Sequence, residues 1–169
     1  MTETATTPDP TIEAIGKAVV LGREGDIESA RSDLLAIWQQ IGVAGDPFHR
    51  CTLAHYLADL CQDPAEALIW DVRALDAADS LTDERAQQHH GSLHVAGFRP
   101  SLYLNIADNL RRLGAYEAAA EHISNAEQHT SALPDDAYGN TIRTAIHEVH
   151  QAINNRDTAR RASAPGSAQ

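Results

Sequence analysis

Ser101, Asn105, Asp108 and Arg112 stand at i, i+4, i+7 and i+11, a spacing that lines one side of an α-helix with a hydroxyl, an amide, an acid and a guanidinium. Such a stripe can hold a peptide main chain through amide and carbonyl hydrogen bonds, while the arginine fork takes a carboxylate in two parallel bonds. It is equally what a solvated helix surface presents, since such surfaces are normally polar. The other chemically capable groups are nine histidines in 169 residues. His90 and His94 lie one turn apart with His89 beside them, His147 and His150 share one side of a helix, and His122 and His129 share a side of the helix before it. Histidines at helical steps can ligate zinc or copper, so a metal- or small-ligand-binding helical protein is the alternative reading. There is no His-Glu-x-x-His, no cysteine pair at ligand spacing and no carboxylate at a fixed offset to complete a coordination shell. The expectation is therefore no metal and no cofactor.

Nucleophilic catalysis has less to stand on. The chain holds no Gly-x-Ser-x-Gly, no phosphate-cradling glycine loop and no dinucleotide fingerprint, and Gly22, Gly25 and Gly114 read as helix punctuation. The serine, histidine and aspartate residues are scattered over predicted helices, and the expectation is a protein that is not an enzyme.

The elements that position the stripe come from apolar periodicity. In residues 101–113, Leu102, Tyr103, Ile106, Leu110 and Leu113 recur at short helical steps and mark a face to be buried. Gly114 offers the left-handed position that ends a helix, and Ala115-Tyr116-Glu117 opens a second one carrying Ala119, Ile123 and Ala126. The small residues allow two helices to approach closely. In order, Tyr103, Ala107, Leu110, Gly114, Tyr116, Ala119, Ile123 and Ala126 occupy the signature positions of a tetratricopeptide repeat (TPR), and this hairpin resembles that family, in particular the small cytoplasmic TPR proteins of actinobacteria. The resemblance implies a right-handed array of antiparallel helical hairpins in which the first helix of each hairpin lines a concave groove. It then places Ser101, Asn105, Asp108 and Arg112 on the groove, with Thr52, His55 and Asp59 of the preceding hairpin as neighbours. It implies a non-catalytic scaffold that binds a protein or peptide segment.

The rest of the chain reads as imperfect copies and caps. Asp9-Pro10, Asp46-Pro47 and Asp63-Pro64 each pair an N-cap acceptor with a proline suited to the first helical position, and Glu66 gives capping-box spacing after Asp63. The first hairpin is expected from Pro10 to Gly22 and Asp26 to Ile41, turned at Gly25-Asp26, with Lys17 at a normally apolar repeat position. The second is expected from Pro47 to Cys61 and Pro64 to Ala78, with Leu68, Val72 and Leu75 on the inner face of its second helix. Asp71 falls where an aromatic is usual. Because an unpaired buried carboxylate costs several kcal/mol, the expectation is that Trp70 takes over the packing and Asp71 does not. Residues 81–94 read as an inserted helix or a broken one, since Gly91 in its middle costs about 1 kcal/mol of propensity. Asp136 to Asn155, with Ile142, Ile146, Val149 and Ile153, reads as the capping helix an array needs. The resemblance thus extends from Pro10 to Asn155.

Composition sets the outer bounds: one domain, all-α, at residues 9–156. A formal net charge of −11 opposes nucleic acid and anionic membrane, and no apolar run is long enough to span a bilayer. The expectation is a cytoplasmic protein, monomeric or weakly homo-oligomeric, with no nucleic-acid or membrane partner. Cys51 and Cys61 lie roughly 15 Å apart along one predicted helix, beyond disulfide reach, and read as packing residues. Residues 1–8 and 157–169 hold no bulky apolar side chain beyond Met1 and are expected to be disordered; Arg160-Arg161 could touch an acidic partner, and the expectation is a solvated end.

Overall fold

A computed structural model describes residues 8–90 and 93–164. Among them are eight α-helices and no strand: α1 (Pro10–Arg23), α2 (Ile27–Ile41), α3 (Pro47–Leu60), α4 (Pro64–Asp79), α5 (Asp83–His89), α6 (Arg99–Arg112), α7 (Tyr116–Gln128) and α8 (Ala137–Asn154). The Asp-Pro dipeptides start three of them. Asp9 accepts from the Thr11 and Ile12 amides, Asp46 from Phe48 and His49, and Asp63 from Ala65, while proline supplies the preset φ of the first turn. Glu66 does not complete a capping box after Asp63; its carboxylate instead pairs with Arg31 of α2. Gly114 ends α6 at φ 79°, where a side chain would strain the backbone, and the Ala115 amide closes the turn on the Leu110 carbonyl.

Helices adjacent in sequence pack in pairs, α1 on α2, α3 on α4 and α6 on α7. The pairs join through α2 against α3 and α4 against α6, and α8 covers both α6 and α7. The direct seating of α4 on α6 leaves α5 outside the stack. Charge joins the burial of Ala86 in fastening α5: Arg85 donates from Nε to Asp46 at 2.6 Å and from Nη2 to Asp9 at 3.2 Å, and its guanidinium lies 5.1 Å from the Phe48 ring. The two caps that begin α1 and α3 thereby also hold the inserted helix. Two main apolar clusters follow from this stacking. One joins Ile15, Leu34, Leu53, Leu57 and Trp70. The other joins Leu104, Ile123, Ile146, Val149 and Ile153, with alanines 107, 119 and 126 letting α6 and α7 close together.

The structure departs from the periodicity at particular positions. Leu113 is 46% exposed and Val72 50%, because α6 ends before Leu113 and the outer side of α4 has no neighbour at Val72. Leu104, on no predicted face, is buried: α6 is the central helix, covered on several sides, so a single-stripe pattern undercounts it. Asp71 is the main correction. It is 1% exposed, alongside a buried Trp70, and the expected cost of a buried carboxylate is partly offset by side-chain amides described below. The inserted segment contains the short α5 followed by extended backbone at His90; the break expected at Gly91 lies outside the described residues. So do residues 1–7 of the N-terminal segment and 165–169 of the tail. Residues 157–164, expected as a free end, instead turn back onto α6. Arg156 takes φ 52°, its carbonyl accepts from the Tyr116 hydroxyl at 2.7 Å, and the Asp157 amide bonds the Ala152 carbonyl. No helix of the described residues is long and apolar enough to cross a membrane.

Candidate functional site

A cleft of about 40 Å³ opens where α3, α4 and α6 meet the returning tail, with room for ordered water. Its floor is a carboxylate held by amides. Asn109 Nδ2 donates to Asp71 Oδ2 at 2.8 Å, Asn105 Nδ2 donates to Asp71 Oδ1 at 3.4 Å, and Asn105 lies 3.5 Å from His55 Nδ1. Two asparagines one turn apart on α6 thus clasp an aspartate of α4. Burial holds the Asp71 carboxyl well above the usual carboxylate range, and the nearby Asp59 carboxylate adds to the shift against the opposing asparagine bonds. Asp59, on α3, is also raised, chiefly by burial, with His55 and Arg160 acting the other way. A pair of acids in one cleft with raised affinity for protons is the electrostatic signature of this floor.

The wall is built around Arg111, the largest wholly buried side chain among the described residues, at 0% exposure. It donates from Nε and Nη2 to Asp108 Oδ1 at 2.9 and 2.6 Å, and Nη2 also reaches the Ala159 carbonyl at 3.0 Å. Nη1 donates to the Asp157 carbonyl. The remaining oxygen of Asp108 accepts from Arg161 Nε at 3.4 Å, and Arg161 Nη1 continues to Glu148 of α8 at 3.0 Å. A single aspartate therefore joins the buried arginine of α6 to an arginine of the tail, and full burial of the Arg111 charge is tolerated because it is paired and hydrogen-bonded. On the opposite rim Arg160 donates to the Gln62 side chain and Arg112 to the Gln62 carbonyl at 3.1 Å. Burial, with the Arg160 guanidinium as the next cause, lowers the pKa of Arg112.

Of the residues expected to form the groove, Asp59, Asn105, Asp108 and Arg112 line this cleft. His55 reaches it through Asn105. Thr52 is on α3 but does not line it, and Ser101 is buried with its hydroxyl donating to the Phe98 carbonyl at 2.9 Å. The stripe's members therefore have different fates: Ser101 is buried away from the cleft, Arg112 stands at its rim, and Asp108 is 9% exposed, a wall component that pairs with Arg111. Sequence reasoning passed over Asn109 and Arg111, and it read Asp71 as a packing mismatch and Arg161 as part of a solvated end. The Asp71 mismatch at an aromatic repeat position and the Asn105-Asn109 step of four were the available signals. Nothing in the spacing marks Arg111 or Arg161, whose roles depend on the chain returning.

The histidines disperse. His150 pairs with Glu127, His94 with Asp83 at 3.6 Å, and His49 with Asp9 at 2.7 Å. His122 and His129 bond carbonyls of their own helix and flank the Tyr103 ring, and His89 packs against Phe48. Among the described residues no three histidine, cysteine, aspartate or glutamate side chains converge at metal-binding spacing. Cys51 and Cys61 are buried, and burial pushes their thiols up to about 12 and about 11, which disfavours the reactive thiolate.

Compared with family models, with curated proteins and with solved structures, the chain has no match.

Proposed function

We propose that this protein is a non-catalytic binding module for a protein or peptide segment, built as a TPR-like array of helical hairpins in which α3 and α6 line the groove. The observation that carries the reading is the return of the chain's own residues 157–164 onto that surface, their carbonyls taken by Arg111 and their arginines by Asp108, Glu148 and Gln62. A surface that binds main-chain carbonyls and fixes side-chain charge in this way has the donors and acceptors needed for an irregular peptide. The stacking order, with α4 seated directly on α6 and α8 closing the end, supports the repeat reading, as does the positive φ at Gly114. The net charge of −11 supports a protein partner over nucleic acid or an anionic membrane, and an intracellular setting suits the reduced cysteines.

The test is peptide selection on the full chain. Peptides from a random displayed library that bind the wild type are re-measured against Asn105→Ala, Asp59→Ala and Arg112→Ala, each verified as folded by its melting curve. The reading expects selected peptides that lose roughly tenfold or more in affinity, on the order of the 1–3 kcal/mol of a charge-assisted hydrogen bond. Selected peptides that bind all three variants as tightly as the wild type would place the site elsewhere on the molecule.

A further inference from the structure

We infer that residues 157–164 are a displaceable latch on the α3–α6 groove, and that the partner segment which replaces them carries arginine. The inference rests on the groove reading above and names the chemistry of its occupant. The acidic side chains alone say only that the cleft is negative. What selects an occupant is that the protein's own Arg160 and Arg161 are seated there. Arg161 spans two acids on different helices, Asp108 of α6 and Glu148 of α8, a geometry that uses separate nitrogens of one planar fork and that a lysine ammonium does not reproduce. Arg160 reaches Gln62 at the mouth of the cleft and opposes the raised proton affinity of Asp59.

The segment is held without being locked. Its sequence, Asp-Thr-Ala-Arg-Arg-Ala-Ser-Ala, buries no bulky apolar side chain, and Asp157, Thr158 and Ala159 are exposed. Two features work against its seat. The Arg156 joint sits at φ 52°, a region that residues with a Cβ enter at a cost, and Arg160 brings a second guanidinium beside Arg112, whose proton affinity is lowered first by burial and next by that neighbour. A partner segment arriving from another chain would present arginine to the same carboxylates without the strained joint. The acidic surface of the whole molecule attracts such a segment from a distance and raises its rate of encounter.

The probe is a fluorescein-labelled peptide of residues 157–169, DTARRASAPGSAQ, titrated by anisotropy with the full-length wild type and with full-length Arg160→Ala/Arg161→Ala. The variant, its groove opened, is expected to bind the probe at least tenfold more tightly than the wild type, with affinity falling as salt rises. A probe with both arginines replaced by alanine is expected to lose binding, as is the open variant when Asp59→Asn is added. Equal binding by wild type and open variant overturns the latch. Undiminished binding of the alanine probe overturns the arginine requirement even if Asp59→Asn proves unstable. Groove-dependent peptides from the library that lack arginine overturn the partner chemistry while leaving the binding-module reading in place; a library that yields no groove-dependent peptide removes both.

Discussion

Arg111 Nη2 lies 3.0 Å from the carbonyl oxygen of Ala159, across a sequence separation of forty-eight residues. The same nitrogen bonds Asp108 at 2.6 Å, so the buried guanidinium ties its own helix to the chain beyond α8. Its five donors in a rigid fork are what allow one side chain to serve an acid and two carbonyls together.

Replacing that fork should be costly. Arg111→Ala is expected to lower stability by about 3–5 kcal/mol, the cost of removing one partner from a buried ion pair, read from chemical denaturation. Arg111→Lys should recover little, since an ammonium cannot reproduce the planar set of bonds. A loss under about 1 kcal/mol would mean that the site is hydrated and the pair weak.

Core and surface positions should separate cleanly. Ile106 is 1% exposed, and Ile106→Ala is expected to cost about 2–5 kcal/mol through lost transfer energy and a residual cavity. Leu113→Ala and Val72→Ala, at exposed positions, should stay within about 0.5 kcal/mol of wild type. Thermal or urea unfolding of the three variants checks both.

Glycines offer a second contrast of opposite sign. Gly114 sits at φ 79°, and Gly114→Ala should destabilise by about 1–2 kcal/mol because the left-handed conformation crowds a Cβ. Gly16 lies within α1 with nothing within 4 Å of an added Cβ, so Gly16→Ala should stabilise by about 0.5–1 kcal/mol through helix propensity. Melting curves that moved the two variants in the same direction would contradict the turn geometry.

Asp71 makes a prediction about pH. Its folded carboxyl is held above the ordinary 3.8, so over the interval between the two values the native state binds more protons than the unfolded state. Stability then falls as pH rises from about 4 through the folded value. Asp71→Asn lacks that titration, and its melting temperature relative to wild type should climb over the same interval. A difference that stayed flat with pH would show that Asp71 is ionised at no penalty.

The order and ends of the helices were legible because the signals are local. An aspartate before a proline caps the next helix whatever lies elsewhere, and a glycine at positive φ ends one, which is why Asp9, Asp46, Asp63 and Gly114 are all seen in those roles. Apolar periodicity likewise found Ile106, Ala119, Ile123, Ile146 and Val149. Asp59, Asn105, Asp108 and Arg112, four of the seven residues expected on a groove, line the cleft.

The remainder was set by what the tertiary structure brought together. Burial of Asp71 is unfavourable in isolation and becomes tolerable only when Asn105 and Asn109 arrive from another helix, and no one-dimensional pattern carries that compensation. Asp108 changes from surface acid to wall because Arg111 and Arg161 reach it from two sides. The tail lacks the apolar side chains that mark an ordered segment in sequence, yet residues 157–164 are placed by hydrogen bonds and ion pairs supplied by α6 and α8. Local chemistry fixes where a helix begins and ends. Whether a charged group is exposed, buried or paired depends on its neighbours across the fold, and those are chosen only when the helices stack.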